Sequence, residues 1–487
     1  MDHASTKATR PSRGAELELS IDSLAFGGAG VARLDGYVVF VAGGMPGDRV
    51  RVVVGKAKRA YAQARVVEIL EPGPDRVPPL AEHPGAPWQV LRYERQLEVK
   101  QAQVEDALRR IGRLDGFSLE PIVPAVEQWR YRNKLEYSFG TATAAATAAT
   151  GQPATATATA ATGQPATGAG QPSTAGRLVC GFHAPGGWQE IVEVTECLLA
   201  SEAADAARER VAAWCRDQRL DAFDRRTGKG FLRNLVVREG RRTGQLQIRL
   251  VTSAGDLDRD GLAALAAPGE SVLWTRLHDV GETTQGGETE LLAGRERLEE
   301  ELGGMRLRIS PQAFFQTNTE MAERLYALAI ELAGLGGFER VYDLYCGIGT
   351  IGLLIAPRVA ELWGLELAQE AVADAIANAR RNEIDNARFF AGDVRLALRE
   401  LTEQAGRPEV LVIDPPRAGL SQKVVRRIIE TAPNRIVYIS CNPTTLAPNA
   451  AQLVEAGYEL GRVAPVDMFP QTPHIECVAI LDGPARG

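Results

Sequence analysis

Val341–Ile355, VYDLYCGIGTIGLLI, changes character halfway along. The first half is a β-branched and aromatic run of the kind that forms a buried parallel strand, and the second half opens an apolar helical pattern. Gly347 and Gly349 stand at the joint. Glycine lets the backbone pass close to a ligand, and a helix N-terminus presents unpaired N–H groups. The expectation is a strand, glycine loop and helix around a bulky polar ligand. Two glycines alone are equally compatible with an ordinary strand-to-helix turn.

Downstream residues tip that balance. The next apolar run, ELWGLEL, ends on Glu366, from which a carboxylate can accept hydrogen bonds from ribose hydroxyls. After the helical pattern AQEAVADAIANARRN, a strand ends at Asp393 in FFAGD. In LVIDPPRAGL, Asp414 lies just outside a third buried strand, before the rigid Pro415–Pro416 pair. Strand ends in open α/β sheets meet at one crevice, so these carboxylates can face one pocket. A further strand, RIVYIS, runs into Ser440-Cys441-Asn442-Pro443. A core cysteine is the ordinary alternative, but its polar, turn-forming neighbours favour a position on the rim. In the last strand, HIECVAIL, Glu476 is costly to bury unless paired or working as an acid or base; an edge-strand glutamate facing water is the competing reading. Upstream, ISPQAFFQTNTEMAERLYALAIELAG places Gln316 in a loop before an amphipathic helix capped near Thr317 or Asn318. Repeated βα units of this length predict an α/β fold with a parallel, doubly wound sheet over 307–487.

The chain has 487 residues, enough for about three domains. Residues 12–72 alternate in short strands with glycine turns, the pattern of a small β-barrel. Between Arg49 and Arg65 there are several basic residues, no acid and one aromatic, Tyr61. That run is either a solvated barrel face or a phosphate-tracking surface with a stacking ring. A central α+β domain is expected over 78–306, with a helix at about 91–111 that can pack on the catalytic domain. In WRYRNKLEYSF, Arg130, Arg132 and Lys134 alternate, which on a strand puts all three on one face. Residues 141–175 are almost wholly Ala, Thr, Gly, Gln and Pro, a composition expected to be disordered.

Net charge is −7, which argues against indiscriminate nucleic-acid binding while leaving room for a local basic face. The N-terminus has no apolar signal core and no apolar run is long enough to span a bilayer. Six scattered cysteines form no CxxC pair and no disulfide framework. These features suit a cytoplasmic protein with no membrane partner and no evident obligate protein partner.

These motifs together resemble the S-adenosylmethionine-dependent RNA uracil-C5 methyltransferases, in the branch with an N-terminal TRAM barrel. The resemblance runs through SLAFGGAGVARLDGYVVFVAGGMPGDRV, QVEDALRRIG, FFQTN, DLYCGIGT, GLEL, DPPRAGL, SCNP and HIECVAIL. It implies a Rossmann-like class I methyltransferase domain and an OB-like RNA-binding barrel. It also implies donor contacts at Gln316, Tyr345, Gly347, Gly349, Glu366, Asp393 and Asp414. Thr350 stands where the family often has asparagine. The implied mechanism uses Cys441 as the nucleophile at C6 of uracil and Glu476 as the base that removes the C5 proton. Asp414 would orient the uracil edge or carry protons, and the target nucleotide would be turned out of its fold. The barrel tilts the expected substrate toward 23S ribosomal RNA, giving 5-methyluridine, with tRNA second. An amino-group methyltransferase and a catalytically dead RNA-binding protein are the remaining alternatives.

Family members commonly hold an iron–sulfur cluster through cysteines before the long helix plus a fourth downstream. The corresponding stretch here, LAEHPGAPWQVLRY, has none, and Cys197 is the remaining counterpart. The expectation is a protein with no cluster and no other metal.

Overall fold

The glycine-loop strand, Arg340–Leu344, lies inside an eight-stranded sheet and is buried beyond its first residue. The computed structural model describes residues 10–142 and 176–484, apart from 186, 280 and 282. The repetitive tract read as disordered lies almost wholly outside the described residues. In the sheet, Ala387–Ala391, Glu361–Glu366, Arg340–Leu344, Val410–Ile413 and Arg435–Ser440 run parallel in that spatial order. The order reverses on either side of Arg340–Leu344, which opens a crevice beyond the carboxyl ends of the strands. Helices Gln369–Arg381, Val394–Ala405 and Gln422–Thr431 supply the crossovers, each with an apolar stripe buried on the sheet.

The far side of this sheet departs from the all-parallel expectation. Glu476–Asp482 is antiparallel to both Arg435–Ser440 and Glu459–Val466. The connection 467–475 is shorter than the dozen or more residues that a parallel crossover needs. The reversal also places Glu476–Asp482 between two neighbours, so Glu476 is not an edge glutamate in water. A two-residue strand from far upstream, Ser118–Leu119, closes the sheet beside Glu459–Val466.

Six short strands between Glu16 and Glu71 form a second sheet around a core of Val39, Val41, Val50, Val52 and Ala62. Helix Tyr93–Asp106 follows and continues as one wide turn, Ala107–Ile111. Val104, Ala107 and Leu108 from this helix join the core containing Leu446, Ala447 and Ala450. Met1–Arg132 and Glu299–Gly487 form one unit and Asn133–Leu298 the other, because the helix buries its apolar face in the catalytic core. The second unit is a seven-stranded sheet that includes Lys134–Thr141, Leu232–Gly240 and Gln245–Ser253, with helix Glu202–Asp217.

Candidate active site

At the glycine loop, Tyr345 has φ 64° and Gly347 has φ 54°, both left-handed. A Cβ at Gly347 would meet nothing within 4 Å, so this turn borders open space. Gly349 is left-handed at 82° for a different reason: a Cβ there would approach Ala375 and Phe389 at 3.1 Å. Thr350 is buried and begins the short helix Thr350–Ile355. The Glu366 carboxylate accepts from Gly347 N–H at 3.2 Å and from Ala368 N–H at 2.9 Å, joining two strand ends across the loop. Asp393 caps helix Val394–Ala405 by accepting from Arg395 N–H at 2.8 Å. Leu367 and Leu396 follow these two carboxylates closely in sequence and are 69% and 67% exposed. The rim thus offers carboxylates, loop N–H groups and apolar surface together.

Next to this rim lies a second set of groups. Asp414 follows Val410–Ile413 and Cys441 follows Arg435–Ser440, two strands paired in parallel. Ser440 pairs with Cys477, so the adjoining residues Cys441 and Glu476 come to the same end of that ladder. Cys441 is partly exposed, whereas Cys180, Cys197, Cys215, Cys346 and Cys477 are buried. Glu476 is buried, and its Oε2 has no hydrogen-bond partner among the described residues. Gln316, also buried, hydrogen-bonds both Asp414 and Tyr326. Asn318 caps the following helix through Met321 N–H at 3.2 Å, which fixes the loop carrying Gln316.

Burial dominates the electrostatics. Desolvation pushes Asp414 up to about 7, against the hydrogen bond from Gln316. Glu476 is driven well above the usual carboxylate range by burial and by the neighbouring Asp414. The Cys441 thiol is pushed up to about 12 by burial and the two carboxyl groups, with Arg417 pulling the other way. Asp343, beneath the glycine loop, is raised to about 8 by burial and by Asp414, although it accepts from Gly352 N–H at 2.9 Å.

Asp343, Tyr326 and Arg417 were missed in the sequence. An acid inside the apolar run VYDL carries the same signal that singled out Glu476. Tyr326 lies on the buried face of the helix after Gln316, and Arg417 directly follows the Pro–Pro pair.

The basic triplet departs from its reading. Arg130 has φ 53°, which interrupts an extended chain, and the strand begins only at Lys134. Lys134 pairs with Glu136 at 2.6 Å, and its own pKa is lowered by burial and by Arg238. The guanidinium of Arg132 lies 5.3 Å from the centroid of the Phe469 ring. No common strand face exists for the three.

On the barrel, Arg49 and Arg51 are tied to Glu18, Glu71 and Glu68. Lys56, Lys58, Arg59 and Arg65 are exposed, with Lys58 stacked 5.4 Å from the Tyr61 ring centroid.

For a four-thiolate cluster the residues do not fit. The stretch 80–93 has no cysteine, and buried Cys197 is hydrogen-bonded to Tyr137 and to backbone at Leu199 and Ala200. Among the described residues, no group of three or more His, Cys, Asp or Glu is arranged to hold a metal ion. Nor is any helix among them long and apolar enough to cross a membrane.

A family profile described as tRNA (Uracil-5-)-methyltransferase matches residues 290–483, and a TRAM domain profile matches 11–67. An RNA methyltransferase of Halalkalibacterium halodurans is 34% identical over 485 residues, covering 96% of each chain. One from Porphyromonas gingivalis is 37% identical over 476 residues, covering 95% of this chain and 99% of the relative. The crystal structure of Pyrococcus abyssi tRNA (uracil-54, C5)-methyltransferase in complex with S-adenosyl-L-homocysteine is also similar. It superposes with a TM-score of 0.70 at 25% identity, covering 96% of this chain and 100% of the other. With the strand order and both domain matches in place, the chain belongs to the TRAM-containing family of RNA uracil-C5 methyltransferases.

Proposed function

We propose that this protein methylates C5 of a uridine in large-subunit ribosomal RNA, with S-adenosylmethionine as donor and Cys441 as covalent nucleophile. The observation that carries the reading is the partly exposed Cys441 beside two buried carboxyl groups, Glu476 and Asp414, which no basic residue among the described ones holds ionised. The open space at Gly347, the Glu366 carboxylate and the Asp393 cap suit a nucleoside with a polar tail, and exposed Leu367 and Leu396 suit the face of its base. When bound, S-adenosylmethionine supplies an electrophilic methyl group on a cationic sulfur.

The chain's own residues do the rest. Uracil C5 is a poor nucleophile, and addition of the Cys441 thiolate to C6 turns it into an enolate carbon. In the free site Cys441 is held as a thiol, so as its sulfur bonds to C6 the S–H proton passes to the neighbouring Asp414 carboxylate. Beside a bound cation the two carboxyl groups would ionise more readily, and Arg417 favours the thiolate. Once the C5 enolate carbon carries the methyl group, Glu476, whose environment makes its anion strongly basic, takes the C5 proton so that Cys441 departs. Gln316 orients Asp414 against the uracil edge, with Tyr326 behind it.

Ribosomal RNA is the substrate that the family resemblance favours, and the exposed Lys56, Lys58, Arg59 and Arg65 beside the half-buried Tyr61 on the barrel supply a surface for RNA phosphates. A tRNA substrate is the second reading, favoured by the family description and by the Pyrococcus enzyme. RNA carrying tritium at uracil C5 separates them. Donor-dependent tritium release from large-subunit RNA but not from tRNA is the expected result. Release from tRNA alone would overturn the ribosomal assignment, and no release from either RNA would overturn uracil-C5 methylation.

A further inference from the structure

The segment 467–475 leads directly into Glu476 and is held from several directions. Lys100 and Asp467, both fully buried, pair at 2.6 Å. Lys100 Nζ also donates to Phe469 O at 3.0 Å and lies over the Trp88 ring, 5.6 Å from its centroid. Tyr93 OH donates to the other Asp467 oxygen at 2.8 Å, and Tyr131 OH donates to Pro470 O at 3.0 Å. Gln96 and Gln471 are joined twice. Gln96 Nε2 donates to Gln471 Oε1 at 2.8 Å, and Gln471 N–H donates to Gln96 Oε1 at 2.9 Å. Gln471 sits in the left-handed region at φ 65°, a conformation that needs such support. Asn318, which caps the helix after Gln316, donates its amide to Met468 O at 2.9 Å.

Most of these anchors lie on one element, helix Tyr93–Asp106. Burying a lysine and an aspartate is expensive, and a hydrophobic pair of similar volume often serves stability as well. The arrangement is therefore better explained by what it fixes than by net stabilisation. It fixes the backbone entering Glu476, whose Oε2 has no partner among the described residues, and through Asn318 it ties that backbone to the loop bearing Gln316.

We propose that helix Tyr93–Asp106, through Lys100 and Gln96, is the positioning device for Glu476 in the elimination step. This rests on the covalent reading above. In that step the Glu476 carboxylate takes the C5 proton of the methylated adduct. The C–H electron pair becomes the C5–C6 double bond, the C6–S bond breaks, and its pair returns to Cys441 as thiolate. A carboxylate displaced by about 1 Å slows this step by about a hundredfold while leaving addition and methyl transfer intact. Lys100, Gln96, Tyr93 and Tyr131 act through the segment and are positioning residues.

The test compares the wild type with Lys100→Met and with the Tyr93→Phe/Tyr131→Phe pair, which deletes two hydroxyls and keeps the packing should Lys100→Met fail to fold. Each is mixed with donor and ordinary uridine RNA, quenched and run on a denaturing gel beside its folded fraction. Expected is a protein–RNA band carrying the methyl group, a kcat lowered about ten- to a hundredfold, and an unchanged donor KM. A kcat that falls only with the folded fraction, with no band, overturns the proposal, as does wild-type turnover in both variants. Wild type that forms no adduct even on 5-fluorouridine RNA removes the covalent reading and this proposal with it. That outcome differs from wild type trapped normally and clamp variants without a band.

Discussion

Glu476 and Asp414 are both held toward their protonated forms by burial, and the neighbouring Asp414 further disfavours ionisation of Glu476. Glu476→Gln keeps the shape and removes the base. The expected outcome is that methyl transfer continues while product release falls by about 10²–10⁴-fold, leaving methylated RNA bound to Cys441 on a denaturing gel. Clean loss of methyl transfer with no adduct would assign Glu476 an earlier role. Asp343 gives a stability test. Its folded value, about 8, lies above its ordinary 3.8, so folding favours the protonated form. That contribution is complete below the ordinary value and is lost as pH rises toward 8. Asp343→Asn keeps the acceptor for Gly352 N–H and has no proton to lose. Its melting temperature relative to wild type is expected to climb between pH 5 and 9, by an amount equivalent to roughly a few kcal/mol; a flat difference would contradict the shift.

Strands Lys134–Thr141 and Leu178–Ala184 pair antiparallel on either side of the Ala/Thr-rich tract. The ladder reaches Thr141 opposite Leu178, and beyond it Gly176 N–H donates to Ala142 O at 3.0 Å and Ala142 N–H to Arg177 O at 2.8 Å. The two ends are already as close as a hairpin requires. Replacing residues 143–175 by a two-residue Asn-Gly turn is expected to leave folding and methyl transfer within about twofold of the full chain. Loss of solubility or activity would assign the tract a role that composition does not reveal.

Such elements also mark where sequence stopped being informative. The places of Cys441, Glu366 and Asp414 followed from polar residues at the ends of apolar strands, where position along the chain fixes position in the crevice, and Glu476 stood out as an acid within an apolar run. Arg130, Arg132 and Lys134 were misread because alternation was extended across a residue in the left-handed region, which no pattern of side-chain polarity reports. Lys100 was invisible for another reason. Helical periodicity assigns a lysine to solvent, and only its partner Asp467, far along the chain, justifies burying it. The antiparallel end of the sheet follows from a short connection that is countable in the sequence, yet the strands it joins had first to be recognised.

Viewed as a molecule of net charge −7, the chain needs a local surface to attract RNA. The barrel divides its arginines and lysines between two uses. Arg49 and Arg51 are matched by glutamates, so their removal should matter little to RNA. Lys56, Lys58, Arg59 and Arg65 are exposed beside Tyr61. Lys58→Ala/Arg59→Ala is expected to reduce the slope of log affinity against log salt by about 2, whereas the Arg49→Ala/Arg51→Ala pair leaves the slope nearly unchanged. Equal slopes for both pairs would mean that the barrel does not discriminate in this way.

The central claim is covalent catalysis at C6 by Cys441, and 5-fluorouridine RNA tests it most directly. Fluorine at C5 cannot leave as a proton, so the elimination assigned to Glu476 is blocked after methyl transfer. Purified protein, donor and 5-fluorouridine-substituted ribosomal RNA should give a protein–RNA band that survives denaturation, carries the methyl group and vanishes in Cys441→Ala. A Cys441→Ala protein that still methylates ordinary RNA, or a wild type that methylates but is never trapped, would contradict it.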